Sequence, residues 1–184
     1  MDPAIHYWDI EIDDQDNIWI ASSAGLLVLK DTAEGLELVR EYFKGSFIDY
    51  IFKSDSAIWL QVAVGHIYSI NISSIPSPTQ RGEVIKATLP EKSEDMLAIY
   101  EDDDSNIWFR AGKKLVIYSV SEGRIIQVLD SSNGINSLVY GVHETPSGFW
   151  LTTRSDGVIQ LDKKSFALLK KQERANQSGF ITST

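Results

Sequence analysis

Two short stretches hold carboxylates at a density that could do chemistry: Asp13-Asp14-Gln15-Asp16-Asn17 and Glu101-Asp102-Asp103-Asp104-Ser105-Asn106. Such clusters serve as oxygen cages for hard divalent cations or as acid/base pairs. A calcium loop of the EF-hand kind needs glycine at its sixth position and a bidentate glutamate at its twelfth. Counted from Asp102 the twelfth residue is Lys113, and from Asp14 it is Gly25, so neither stretch supplies that ligand. His6, His66 and His143 share no metal-ligand spacing. The sequence lacks cysteine, which removes thiolate nucleophiles, disulfides and Cys-ligated metals. No Gly-x-Ser-x-Gly elbow, phosphate-binding Walker loop or dinucleotide fingerprint is present, and no metal or cofactor is expected. An ordinary surface or channel role is expected for the histidines.

The elements that would position these residues emerge from a repeat. Trp19, Trp59, Trp108 and Trp150 fall 40, 49 and 42 residues apart. Each follows Ile18, Ile58, Ile107 or Phe149 and precedes Ile20, Leu60, Phe109 or Leu151. Ahead of each tryptophan stands a polar turn: DDQDN, KSDSA, EDDDSN or ETPSG. The acidic stretches thus occupy a column whose other members keep neither the charge nor the aspartate count. What the column keeps is turn chemistry, so both stretches read as solvated hairpin turns.

Ahead of each turn lies an alternating run: Trp8/Ile10/Ile12, Ile48/Tyr50/Phe52, Leu97/Ile99 and Leu138/Tyr140/Val142. Period two predicts strands, each run presenting one face. Further apolar runs follow each tryptophan, and fourth runs are expected at residues 36–43, 83–89, 124–129 and 166–169. Only LELVREYF is ambiguous between strand and helix. Four short strands per 40–50 residues is the arithmetic of a β-propeller blade. The predicted fold is all-β, with four four-stranded blades over roughly 5–43, 48–89, 96–129 and 138–170. Residues 178–184 resemble the start of a further blade, since Phe180-Ile181 aligns with Phe47-Ile48. On this reading the chain is part of a larger propeller, and alone would form dimers or aggregates through exposed blade faces. Further blades of the same parent protein would otherwise cover those faces.

Composition narrows the partners. With 184 residues, 43% of them hydrophobic, the chain can bury a substantial core. The formal charge is −9, and the 17 basic residues are scattered. Nucleic acid and anionic membrane surfaces are therefore not expected partners. No stretch approaches the 18 apolar residues of a membrane helix, and the N-terminal MDPAIHYWDIEI lacks signal-peptide features. Membrane attachment would run only through parent segments outside this chain.

The third and fourth units resemble the two-component-regulator propeller repeat. Ile99, Glu101, Asp102, Asn106, Ile107 and Trp108 match its pattern in the third. In the fourth, with a turn one residue shorter, Val139, Val142, Glu144, Gly148, Trp150, Thr153, Gly157, Val158, Leu161 and Asp162 match. Asn133-Gly134-Ile135 is similar to the lead-in of such a blade. The first two units depart: Asp16 and Ser56, like Ser105 in the third, stand where glycine is usual, and Ala21 and Gln61 replace another glycine. The resemblance implies the extracytoplasmic, periplasmic sensor region of a bacterial membrane histidine kinase, many of which sense oligosaccharides. The sandwich, membrane helix and kinase core of that family lie outside this chain.

The function expected from these observations is ligand sensing without catalysis, for a small polar ligand such as a glycan. The alternatives are a propeller lyase or glycoside hydrolase, and a protein-interaction scaffold. A glycosidase needs two convergent carboxylates, and none is ordered by any motif here. Ligand contact is assigned to Arg110, Lys113, Arg154, Asp156 and His66; Arg110 and Arg154 lie just past a repeat tryptophan, where they would begin the loops between second and third strands that rim one face. Trp19, Trp59, Trp108 and Trp150 are assigned to packing between blades. Trp8 lies off that column, on a first strand facing the channel, where either packing or ligand stacking is open.

Overall fold

The computed structural model describes residues 5–63, 66–72, 84–87 and 96–172. Among these residues sixteen strands form four antiparallel sheets, each a meander of consecutive strands. The first holds β1 (Tyr7–Ile12), β2 (Asn17–Ser22), β3 (Gly25–Thr32) and β4 (Gly35–Tyr42). The second holds β5 (Ile51–Lys53), β6 (Ala57–Ala63), β7 (His66–Asn71) and β8 (Val84–Ala87). The third holds β9 (Met96–Glu101), β10 (Asn106–Ala111), β11 (Lys114–Ser119) and β12 (Arg124–Leu129). The fourth holds β13 (Val139–Thr145), β14 (Gly148–Thr153), β15 (Val158–Leu161) and β16 (Leu168–Gln172). LELVREYF is strand β4, so the helical option for it falls away.

First strands pack side by side, β1 on β5, β5 on β9 and β9 on β13, which is the radial stacking of a β-propeller. Each seam between neighbouring sheets is an apolar core. Trp19 shares one with Ile51, Ile58 and Ile70. Trp59 shares the next with Met96, Ile107 and Phe109. Trp108 shares the third with Val139, Leu151 and Ile159. Trp150 is only half-buried, because its face of the fourth sheet carries no further blade among the described residues.

Three expectations need correction. First, period two does not hold along the first strands. The register of β1 shifts between Tyr7 and Asp9, that of β9 opposite Trp108/Phe109, and that of β13 between Val139 and Gly141. Such a bulge adds a residue and re-aims its neighbours. Trp8, Ile99 and Tyr140 therefore leave the faces that alternation assigns them, while Ile48, Tyr50 and Leu138 lie before their strands. Second, the last fourth-strand run starts later, at Leu168. Asp162 Oδ1 accepts from the backbone of Lys164 and Ser165 and from Ser165 Oγ, and Phe166 sits at φ 55°, which keeps 162–166 in a turn. Third, Arg110 lies within β10 and does not begin a loop. The predicted run 83–89 contains β8, its ends lying outside the described residues, as does the candidate further blade at 178–184.

Candidate functional site

The acidic turns are built around one buried carboxylate each. Asp102 Oδ1 accepts from the backbone N–H of Asp104 (3.1 Å) and Asn106 (2.8 Å). Its Oδ2 accepts from Asn106 Nδ2 (3.1 Å) and Trp108 Nε1 (2.9 Å). Asp13 repeats the arrangement, with Gln15 and Asn17 N–H on Oδ1 and Asn17 Nδ2 and Trp19 Nε1 on Oδ2. In the second blade Ser54 Oγ does the same for Ala57 N–H and Trp59 Nε1. The aspartate thus fixes the hairpin and orients the seam tryptophan. Burial works against the charge of Asp13, but bonds from Asn17, Trp19 and Gln15 outweigh it and hold its carboxyl below the ordinary range. Asp16 and Ser105, where glycine is usual, both take positive φ, 60° and 58°.

One rim of the propeller is defined by contacts between blade links and the β2–β3-type turns. Ile48 N–H donates to Ser22 O, Gly45 N–H to Ala24 O, and Arg154 N–H to Leu138 O. His66, Lys113, Arg154 and Asp156 all sit at or beside such turns. Their side chains do different things. Asp156 is largely buried, accepts from Asn136 N–H (2.8 Å) and pairs with Lys171 at 3.0 Å, so it ties the incoming link to the fourth sheet. Burial opposes its charge, but Lys171, Asn136 and Ser137 keep its carboxyl below the usual range. Lys113 is exposed at the β10–β11 turn, and His66 is half-buried at the start of β7. The exposed Arg154 borders a groove of about 510 Å³ with Thr152, Ser155 and Gln172 on the open face of the fourth sheet. Arg110 turns away from that group: its Nη1 donates to Val139 O at 3.4 Å across the third seam. Four of the five residues therefore share a rim without converging on one point, and Arg110 stands apart from them within β10.

A tighter constellation lies at the channel mouth, largely on residues that repeat columns do not mark. Trp8 is 54% exposed at the β1 bulge, with its ring 5.9 Å from His6 and 5.8 Å from Phe47 of the first blade link. The neighbouring Asp9 accepts from Ile51 N–H through Oδ2 (3.0 Å). Tyr50, one residue earlier, donates its hydroxyl to Ala98 O (3.0 Å). Burial and the Asp9 carboxylate push the Tyr50 phenol up, and the Arg110 guanidinium pulls the other way, so all three groups share one field. The aromatic ledge thus adjoins a carboxylate and a phenol, and the Arg110 guanidinium acts on that phenol from a third blade. At the opposite ends of the first strands, beside the polar turns, Glu11 accepts from Lys53 N–H, Glu101 from Asp55 N–H and Glu144 from Asp103 N–H. Burial raises the carboxyls of Glu11 and Glu101 above their ordinary range, against the opposing pull of those backbone bonds. These glutamates clamp adjacent blades.

The sequence matches no family model. It likewise matches no curated protein. Solved structures do resemble it. Over 94% of this chain and 57% of the other, it superposes on an inactive virginiamycin B lyase from Staphylococcus aureus bound to Quinupristin, with TM-score 0.66 and 17% identity. The Pan2 WD40 domain of Neurospora crassa matches over 91% of this chain and 49% of its own, with TM-score 0.57 and 15% identity. The extracellular domain assigned to a hybrid two-component system of B. thetaiotaomicron matches over 91% of this chain and 22% of its own, with TM-score 0.59 and 14% identity. The chain spans about half or less of the length of the last two. Identities this low carry the fold alone, and the fold is a β-propeller.

One expectation is overturned. Catalysis was set aside because no ordered acid/base motif appears in the sequence, yet the same architecture carries an enzyme in the virginiamycin B lyase. The physical reason is that a propeller assembles its rim from loops of separate blades, so reacting groups need share no local spacing. The missing motif therefore does not make the chain non-enzymatic.

Proposed function

We propose that this propeller recognises a small polar ligand, a glycan in class, as the sensing segment of an extracytoplasmic two-component-type sensor. The observation that supports the reading is the exposed Trp8–Phe47–His6 ledge beside Asp9, Tyr50 and Arg110. Sugars present a C–H face that stacks on aromatic rings and hydroxyls that bond to carboxylate and guanidinium groups. An exposed tryptophan next to half-buried polar groups offers both at once. The repeat resemblance of the third and fourth units, and the likeness to the B. thetaiotaomicron extracellular domain, support the sensor context.

The test is titration of the chain with a panel of neutral and acidic oligosaccharides, followed by intrinsic tryptophan fluorescence and calorimetry. At least one member should bind, with affinity lost at least tenfold in Trp8→Ala and in Arg110→Met while the melting temperature of each variant stays near that of the wild type. A panel without a binder, or a binder indifferent to both substitutions, overturns the reading.

A further inference from the structure

We propose that the chain pairs head to tail with a second copy of itself, the Trp150 face of one fourth sheet seating on the aliphatic face of the other copy's first sheet. Within the chain the same joint is made three times: a tryptophan-bearing face packs on the opposite face of the next sheet. In two of those seams the tryptophan ring meets a residue flanking the next blade's tryptophan. Trp59 lies 5.7 Å from Phe109, and Trp108 lies 4.5 Å from Phe149.

Among the described residues, both halves of a fourth joint are present and uncovered. On the first sheet, cross-strand pairs Ile10↔Ile20 and Ile12↔Ile18 place four isoleucines on one face, and Leu38 continues it through Leu29. Ile10, Ile12, Leu36 and Leu38 are each more than half exposed, which is an apolar patch of the kind that marks an interface. On the fourth sheet, Trp150 pairs with Gln160 and Thr152 with Val158, so these share the open face. Two grooves of about 550 and 510 Å³ run along it, joined at Val158 and Gln172. By the repeat, the residues flanking the first blade's tryptophan are Ile18 and Ile20, the counterparts of Phe149 and Phe109. They would meet Trp150.

Charge agrees with the pairing. The β3–β4 hairpin of the first sheet carries Asp31 and Glu34 at its tip, and the β15–β16 connection of the fourth carries the exposed Lys164 at the same end of the propeller, its neighbour Lys163 being held within the chain by Glu144 (2.7 Å) and Asp103 (3.2 Å). Opposite charges at the edges steer and orient an apolar joint. A head-to-tail contact closes only if its rotation completes a ring. Two copies of the four described blades make eight, within the 4–8 that propellers hold. Both open faces of both copies are then covered.

The test uses the full chain. Light scattering should give twice the 20.6-kDa chain mass, falling to the single-chain mass in Ile12→Asp and, independently, in Leu38→Lys, with unchanged far-UV circular dichroism in at least one of them. Because the chain has no cysteine, cross-linking reports geometry directly. A mixture of Ile18→Cys and Thr152→Cys copies should give a mixed dimer with a short bismaleimide cross-linker, which spans the roughly 10 Å between facing sheets, while Ile18→Cys alone should not link. A wild-type monomer at every concentration, a filament, or self-linking of Ile18→Cys through two first sheets face to face would each overturn the proposal.

Discussion

Replacing Asp102 with alanine tests whether the acidic turn is structural. The carboxylate accepts four hydrogen bonds, from Asp104 and Asn106 N–H, Asn106 Nδ2 and Trp108 Nε1, and the residue is 6% exposed. Alanine leaves those donors facing a hole. Asp104 is exposed and its N–H can turn to water, whereas Asn106 and Trp108 are buried. A buried donor stripped of its partner costs about 1–3 kcal/mol. Two to three such donors, with partial relaxation of the turn, give an expected loss of about 3–4 kcal/mol. With a urea m-value of about 2 kcal/mol/M for a domain of this size, the midpoint should fall by about 1.5–2 M. Asp102→Asn keeps one acceptor oxygen but sets an NH2 against a facing donor, so it should lose about 1–2 kcal/mol. Urea unfolding followed by tryptophan fluorescence measures all three proteins. An alanine variant within about 1 kcal/mol of wild type would refute the reasoning. So would calcium that stabilises the wild type but not Asp102→Ala, since the turn would then be a cation site.

Trp108→Ala should cost about 3–5 kcal/mol, because its ring is fully buried in the third seam, whereas Trp8→Ala should stay within about 0.5 kcal/mol; paired urea curves distinguish them. Ser105→Gly should stabilise by about 0.5–1 kcal/mol, since serine at φ 58° is strained and glycine is not, and differential scanning calorimetry reads the shift. Gly148→Ala should lose at least about 2 kcal/mol by the same measurement, because its φ is 136° and an added Cβ would lie 2.0 Å from Leu161 O. Asp13 has a folded pKa below its unfolded one, so its contribution is complete above about pH 4 and drains away as pH falls through the folded value. The stability gap between wild type and Asp13→Asn should therefore narrow on acidification below about pH 4, and a gap independent of pH would contradict the assignment.

The blade count and strand order were legible because two signals coincide in each repeat. The tryptophan column marks the second strand, and the turn ahead of it is polar whatever its charge. The turn reading of the acidic stretches has a sequence basis, since KSDSA occupies the same column without the carboxylate cluster and Ser54 takes up the donors there that Asp102 takes up in the third blade. Alternation failed where the backbone departs from regular pleating. A bulge leaves no mark on a hydrophobic pattern, so Trp8, Ile99 and Tyr140 were assigned to faces that the register shifts take away.

The channel mouth was harder for a different reason. Asp9, Tyr50 and Arg110 lie 41 and 60 residues apart in sequence, each on a different blade, and only radial stacking brings them into one field. Of these only Arg110 follows a repeat tryptophan, and its position inside β10 is what aims it across the third seam toward Val139. Trp8 had been noted as off the repeat column, and the bulge explains its exposure beside Phe47. The same geometry governs catalysis on propellers. A site gathered from several blades has no characteristic spacing within any one of them. Local acid/base motifs are therefore a property that a propeller active site need not have. Side chains brought together at the rim and channel mouth are the informative observable, and in this chain they are Trp8, Phe47, Asp9, Tyr50 and Arg110.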